Sequence, residues 1–130
     1  MKAVDTNVLL RFLVRDDDEQ AAVAAAFFSK RTAEDPAFVS LIVLAELVWT
    51  LRQGYRYPRA TVNAEVAALL ETAELVFEDE IEISAIVNGT DRGELADHLI
   101  AYCARRAGCS STVTFDQRAA AAIPSMELLA

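Results

Sequence analysis

Short apolar segments alternate with stretches of helical spacing along the whole chain, and this alternation constrains the fold more than any other feature. Strands joined by helices run parallel, because each crossover returns the chain in the same direction, and the helices then cover both faces of the sheet. The pattern predicts strands from Lys2 to Asp5, Ala37 to Ser40, Glu74 to Glu78 and Ser111 to Asp116, with a fifth from Met126 to Leu129. Helices are expected from Val8 to Val14, Asp17 to Arg31, Leu41 to Leu51, Arg59 to Ala73, Ile81 to Thr90 and Leu95 to Ala107. A further helix begins near Gln117. The stretch from Leu41 to Leu51 is apolar almost all round and reads as a buried helix. The acidic start of the second helix and its basic end complement the helix dipole.

No repeat or Pro/Gly-rich linker divides the 130 residues, so one α/β domain over residues 1–130 is expected. With 54% apolar residues the chain can bury a real core. No apolar run reaches the roughly 18 residues that a membrane span needs. Asp5 and Arg11 interrupt any signal-like apolar segment, so the expectation is a cytoplasmic protein with no membrane partner. Cys103 and Cys109 belong to no paired or metal-binding pattern and read as buried thiols. A single histidine, His98, excludes a zinc site built on histidines.

The net charge of -8 argues against nucleic-acid binding through bulk electrostatics. It suits a site that gathers carboxylates, and four stand in awkward places. Asp5 and Asp116 each close a predicted strand, the end of a parallel sheet where ligands bind. Either could instead serve only to cap the following helix. Glu46 lies within "LIVLAELVWTL", where burial is costly without a compensating cation. That cation is an arginine, or a metal in a site open to solvent. Asp97 borders the apolar stripe of its helix, and Glu94 lies three residues earlier on the same face. Carboxylates without His or Cys suit a hard cation, Mg²⁺ or Mn²⁺, which retains waters and leaves room for a substrate phosphate. Metal-assisted phosphodiester hydrolysis has these requirements.

The segments "VDTNVLL", "LAELVWTL", "LADHLIAYCARRAG" and "TVTFD" resemble, in this order, the successive motifs of the PIN-domain family, and are most similar to those of the VapC toxins of bacterial toxin–antitoxin pairs. The resemblance implies a three-layer sandwich, with a twisted parallel sheet of four to five strands between helices. It also implies a metal-dependent endoribonuclease that cleaves single-stranded or looped RNA by metal-activated water. The family's acids fall on Asp5, Glu46, Asp97 and Asp116, which then carry catalysis and hold Mg²⁺ or Mn²⁺ together with Glu94. Thr6 and Asn7 match the small polar residues that hold the first acid, and Ser40 matches a hydroxyl residue before the Glu-bearing helix. His98 stands where relatives carry a small residue, as either a crowding group or an added polar contact. Arg11, Arg52, Arg92 and Arg118 are candidate RNA-binding groups, whereas Arg105 and Arg106 suit a helix end.

The resemblance further implies a cognate VapB-like antitoxin, whose tail turns an Arg or Lys toward the acids, and a homodimer. Exposed, Trp49, Tyr55 and Tyr57 would fit a basic, partly apolar partner, although Trp49 equally suits the core; the surplus apolar residues from Ala21 to Phe28 fit either a paired helix or the core of a monomer. Two other phosphoryl-handling folds fit worse. A haloacid-dehalogenase-type phosphatase needs a second Asp where Asn7 stands, and a receiver domain needs a late Lys, whereas the lysines are Lys2 and Lys30. A catalytically inactive PIN-like binding module is the remaining alternative, and retention of all four acids speaks against it.

Overall fold

Residue alternation in the central strand shows how the sheet is packed. In β2 (Ala37–Val39), Ala37 and Val39 are buried while Phe38 between them is only half-buried. β2 pairs in parallel with β1 (Lys2–Ala3) on one side and β3 (Leu75–Phe77) on the other, with Ala37 opposite Leu75 and Val39 opposite Phe77. Leu75 and Phe77 are buried on the same side, so this face carries the core. The computed structural model describes residues 1–130.

In chain order, β1 leads into α1 (Thr6–Val14) and α2 (Asp18–Ser29), then β2 and α3 (Leu41–Trp49). A π-helical turn (Thr50–Gly54) precedes α4 (Arg59–Leu70), β3, α5 (Glu80–Gly89) and α6 (Leu95–Arg106). The chain ends in β4 (Thr112–Thr114), α7 (Gln117–Ala122) and β5 (Met126–Leu128). Every strand pairing is parallel, as the helical crossovers require. The ladder hydrogen bonds fall into two groups, β1-β2-β3 and β4-β5. β1 is only two residues long because Asp5 begins capping α1 almost at once, and Lys2 and Ala3 leave its outer edge exposed. Leu9, Leu44, Leu47, Leu51, Val66 and Ile83 anchor the main core, and Ala101, Ala119, Ile123 and Met126 form a smaller one. No helix is long and apolar enough to cross a membrane.

Two expectations about side chains change. The helix expected from Leu41 to Leu51 is not buried all round: Leu41, Leu44, Leu47 and Val48 face the core, but Ile42 is 74% and Trp49 61% exposed. A single helix touches the sheet along one stripe, and nothing in this chain covers the other. The last turn then widens, with the Tyr55 N–H donating to the Thr50 carbonyl. Of the two thiols, Cys103 is half-buried, but Cys109 is exposed because it lies in the turn after α6. On α2, Ala21 and Ala24 are buried and Phe28 packs on Phe12 with ring centroids 4.8 Å apart, leaving Val23 exposed.

The corner between β3 and α5 ties two helices together. The Glu78 carboxylate accepts from the Leu41 N–H at 2.9 Å and so caps α3. Asp79, with φ 51, accepts from the Tyr102 hydroxyl at 2.7 Å and from Arg106, both on α6. The Tyr102 bond and the Arg106 charge hold the Asp79 carboxyl below its ordinary range, and the same carboxylate pushes Tyr102 up to about 12. A depressed carboxylate contributes stability at neutral pH and loses it as the pH falls through its folded-state value. Asp79→Asn should therefore melt below the native protein at pH 7, and the gap should narrow as the pH falls below the ordinary carboxylate range. A gap independent of pH in thermal melts refutes this linkage.

Candidate active site

Asp5 sits where β1 stops and α1 begins. Its extended backbone ends the strand, and its Oδ1 accepts from the Val8 N–H at 3.2 Å. Thr6 follows as the first helical residue, and its Oγ1 donates to Glu46 Oε1 at 3.0 Å. That bond joins α1 to α3 and orients Glu46, whose side chain lies on the exposed side of an otherwise apolar helix. Of the two compensations open to Glu46, the arginine is absent: neither it nor Asp5 pairs with a basic side chain. Ser40 caps α3 through its Oγ, which accepts from the Val43 N–H at 3.2 Å. Asn7 is exposed at the same rim.

A second group of acids lies at the start of α6 and the end of β4. Asp116 caps α7, its Oδ1 accepting from the Ala119 N–H at 3.0 Å, so the capping reading of this residue is correct at the level of local structure. Asp97 lies in the first turn of α6 and is half-buried. Burial raises its carboxyl above the usual range, the charges of Asp116 and Glu94 raise it further, and His98 partly offsets them. Like Asp5 and Glu46, Asp97 and Asp116 have no ion-pair partner.

Glu94, expected among the metal ligands, behaves differently. Arg52 donates to it through Nε at 2.9 Å and Nη2 at 2.6 Å, so both carboxylate oxygens are engaged. The Arg52 bond, reinforced by the charges of Arg52 and Arg59, holds the Glu94 carboxyl low despite its partial burial. No three His, Cys, Asp or Glu side chains close into a preformed metal cage. The donors nevertheless suit a hard cation: all are carboxylates, four carry uncompensated charge, and Asp97 is under repulsion that a dication relieves.

A PIN domain family model matches residues 2–123. The chain belongs to the PIN family. It is also 27% identical over 120 residues to the VapC ribonuclease of Aquifex aeolicus (strain VF5), covering 91% of this chain and 89% of that protein.

Within this PIN domain the basic residues divide in a way the sequence did not reveal. Arg52 is held by Glu94, and Arg11 by Gln20 at 2.6 Å and Asp16 at 3.3 Å, so neither guanidinium is free. Arg92 and Arg118 are exposed and form no ion pair. Arg105 and Arg106 end α6, bonding to Ser125 and Asp79. His98 proves to be a polar contact: its Nε2 lies 2.7 Å from the Arg92 carbonyl oxygen. Arg59 was not singled out from the sequence, since a basic residue after Pro58 carries no signal of its own. It donates to the carbonyls of Gly93, at 3.3 Å, and Asp91.

The Thr6–Glu46 bond makes a specific prediction. Thr6→Val keeps the shape but leaves Glu46 unsupported; if Glu46 holds a metal in a ribonuclease site, as proposed below, cleavage of RNA should fall by about 10- to 100-fold, the usual cost of losing a group behind a metal ligand. The melting temperature should barely move, because the bond is exposed. Unchanged cleavage refutes the orienting role of Thr6.

Proposed function

We propose that this chain, a single PIN domain over residues 1–130, is a metal-dependent endoribonuclease and the toxin of a toxin–antitoxin pair. Its substrate on this reading is single-stranded or looped RNA. The supporting observation is the contrast among the acids: Asp5, Glu46, Asp97 and Asp116 carry no basic partner, whereas Glu94 is neutralised by Arg52. These four would hold Mg²⁺ or Mn²⁺, which when bound lowers the pKa of water and neutralises charge developing on the phosphate. The chain's own part is placement. Asp5 and Asp116 are fixed by their capping bonds, Glu46 by Thr6, and Asp97 by half-burial on α6. Arg92 and Arg118 are available to phosphates of the RNA.

The likeness to a VapC ribonuclease supports the same reading. A cognate VapB-like antitoxin fits the exposed Ile42 and Trp49 on α3 together with the net charge of -8, since a basic and partly apolar segment complements both. A homodimer fits the exposed Val23 on α2. Light scattering, and co-purification with the product of the adjacent gene, check these two partners.

The test of the activity is cleavage of a generic single-stranded RNA. Cleavage should require Mg²⁺ or Mn²⁺, stop with EDTA and return when the metal is restored; Asp5→Asn should be inactive at limiting metal. No cleavage under any metal favours the inactive binding module. Full activity of Asp5→Asn at limiting metal overturns the site.

A further inference from the structure

The four residues that lead into α6, Asp91 to Glu94, are held by side chains from other parts of the chain to an unusual degree. The Asp91 and Gly93 carbonyls accept from Arg59, and the Arg92 carbonyl accepts from His98. The Glu94 carboxylate takes both forks of Arg52. Arg52 is itself fixed, because its Nη1 donates to the Tyr57 carbonyl at 2.9 Å. Gly93 has φ +82, and a Cβ there would meet His98 Nε2 at 3.0 Å and Ala122 Cβ at 3.1 Å, so the loop has little room to move. Arg52 comes from the π-helical turn after α3, and Arg59 is the first residue of α4. The connection between α3 and α4 therefore clamps the entrance to α6, one helical turn before Asp97.

We propose that Arg52 is a positioning residue for Asp97, and that Glu94 is the anchor of Arg52 rather than a ligand of the metal. This rests on the nuclease reading above for its chemistry. A bidentate guanidinium–carboxylate pair fixes both distance and direction, which a single ammonium contact does not. It links the part of the chain that follows Glu46 to the helix that carries Asp97. Both acids thus stay in register although they lie on different elements.

The experiment measures Mn²⁺ binding by calorimetry on the RNA-free protein, alongside cleavage, for Arg52→Met, Arg52→Lys, Glu94→Gln, the double variant Arg52→Met/Glu94→Gln, and the exchange Arg52→Glu/Glu94→Arg. Arg52→Met and Glu94→Gln should each weaken Mn²⁺ binding by about 10- to 100-fold, as losing support behind a ligand does. The double variant should be no worse than the poorer single, because the two act as a unit. Arg52→Lys should fall between native and Arg52→Met, and the exchange should recover at least tenfold of the loss. Additive losses in the double variant, or abolished Mn²⁺ binding in the exchange, make Glu94 a ligand and overturn the proposal. Native Mn²⁺ binding in every variant also overturns it. If the native protein binds Mn²⁺ and the variants follow the expected pattern but no RNA is cut, the nuclease reading fails while the positioning role stands. Native protein that binds no Mn²⁺ overturns both. Near-native circular dichroism of Glu94→Gln, an isosteric change, separates these outcomes from misfolding.

Discussion

Asp97→Asn should abolish RNA cleavage while leaving the chain folded. The surroundings of Asp97 disfavour its charge, through burial first and then the fields of Asp116 and Glu94. A side chain kept charged in such a place is costly to the fold, and sites of this kind are where local conflict is tolerated for chemistry. On the proposed reading, removing the charge removes one of the four carboxylates that would hold the metal. The loss of cleavage should exceed the 10- to 100-fold expected for a supporting residue and reach at least about 10³-fold. Without metal, the same substitution should raise the melting temperature, because repulsion from Asp116 and Glu94 is relieved. Asp116→Asn should behave more mildly, with losses that extra Mg²⁺ or Mn²⁺ partly restores, since asparagine still caps α7. Metal titrations of cleavage and thermal melts in EDTA measure both effects. Full activity in Asp97→Asn, or a lower apo melting temperature, contradicts this account.

Leu47→Ala should have the largest effect on stability. Leu47 follows Glu46 in the chain but faces the other way, fully buried within the main core with Leu44 and Leu51. Truncation at a site this enclosed removes transfer free energy and leaves a cavity, costing about 2 to 5 kcal/mol. That is a large share of the roughly 5 to 15 kcal/mol that holds a domain folded. The melting temperature should drop by roughly 10 °C. Urea unfolding gives the loss directly, and a change under about 1 kcal/mol contradicts the packing described for α3.

Much of the fold was legible because its signals are local. Asp5, Asp17, Ser40 and Asp116 all cap the helices that follow them, and the apolar runs before three of those helices end in strands. What the sequence concealed depends on contacts between distant residues. Arg52 and Glu94 are 42 residues apart, and nothing near either one distinguishes an arginine that binds a carboxylate from one that faces a phosphate. The exposed side of α3 was hidden for a different reason. Ile42 and Trp49 are as apolar as the buried Leu44 and Leu47, so composition made the helix look buried on every side, and only packing against the sheet selects the inward stripe. β1 stops at Ala3, two residues before the strand end expected at Asp5, because Asp5 is already capping α1.

Trp49 is the only tryptophan in the chain, and it stands in the open on α3, immediately before the turn that carries Arg52. Its emission should consequently lie close to that of an indole in water even in the native protein, so denaturation should change its wavelength little and give a poor optical record of unfolding. The same placement makes it a sensitive dye for occupancy. Anything that covers α3 transfers this one indole from water to an apolar surface, and the spectrum shifts to the blue without any added label.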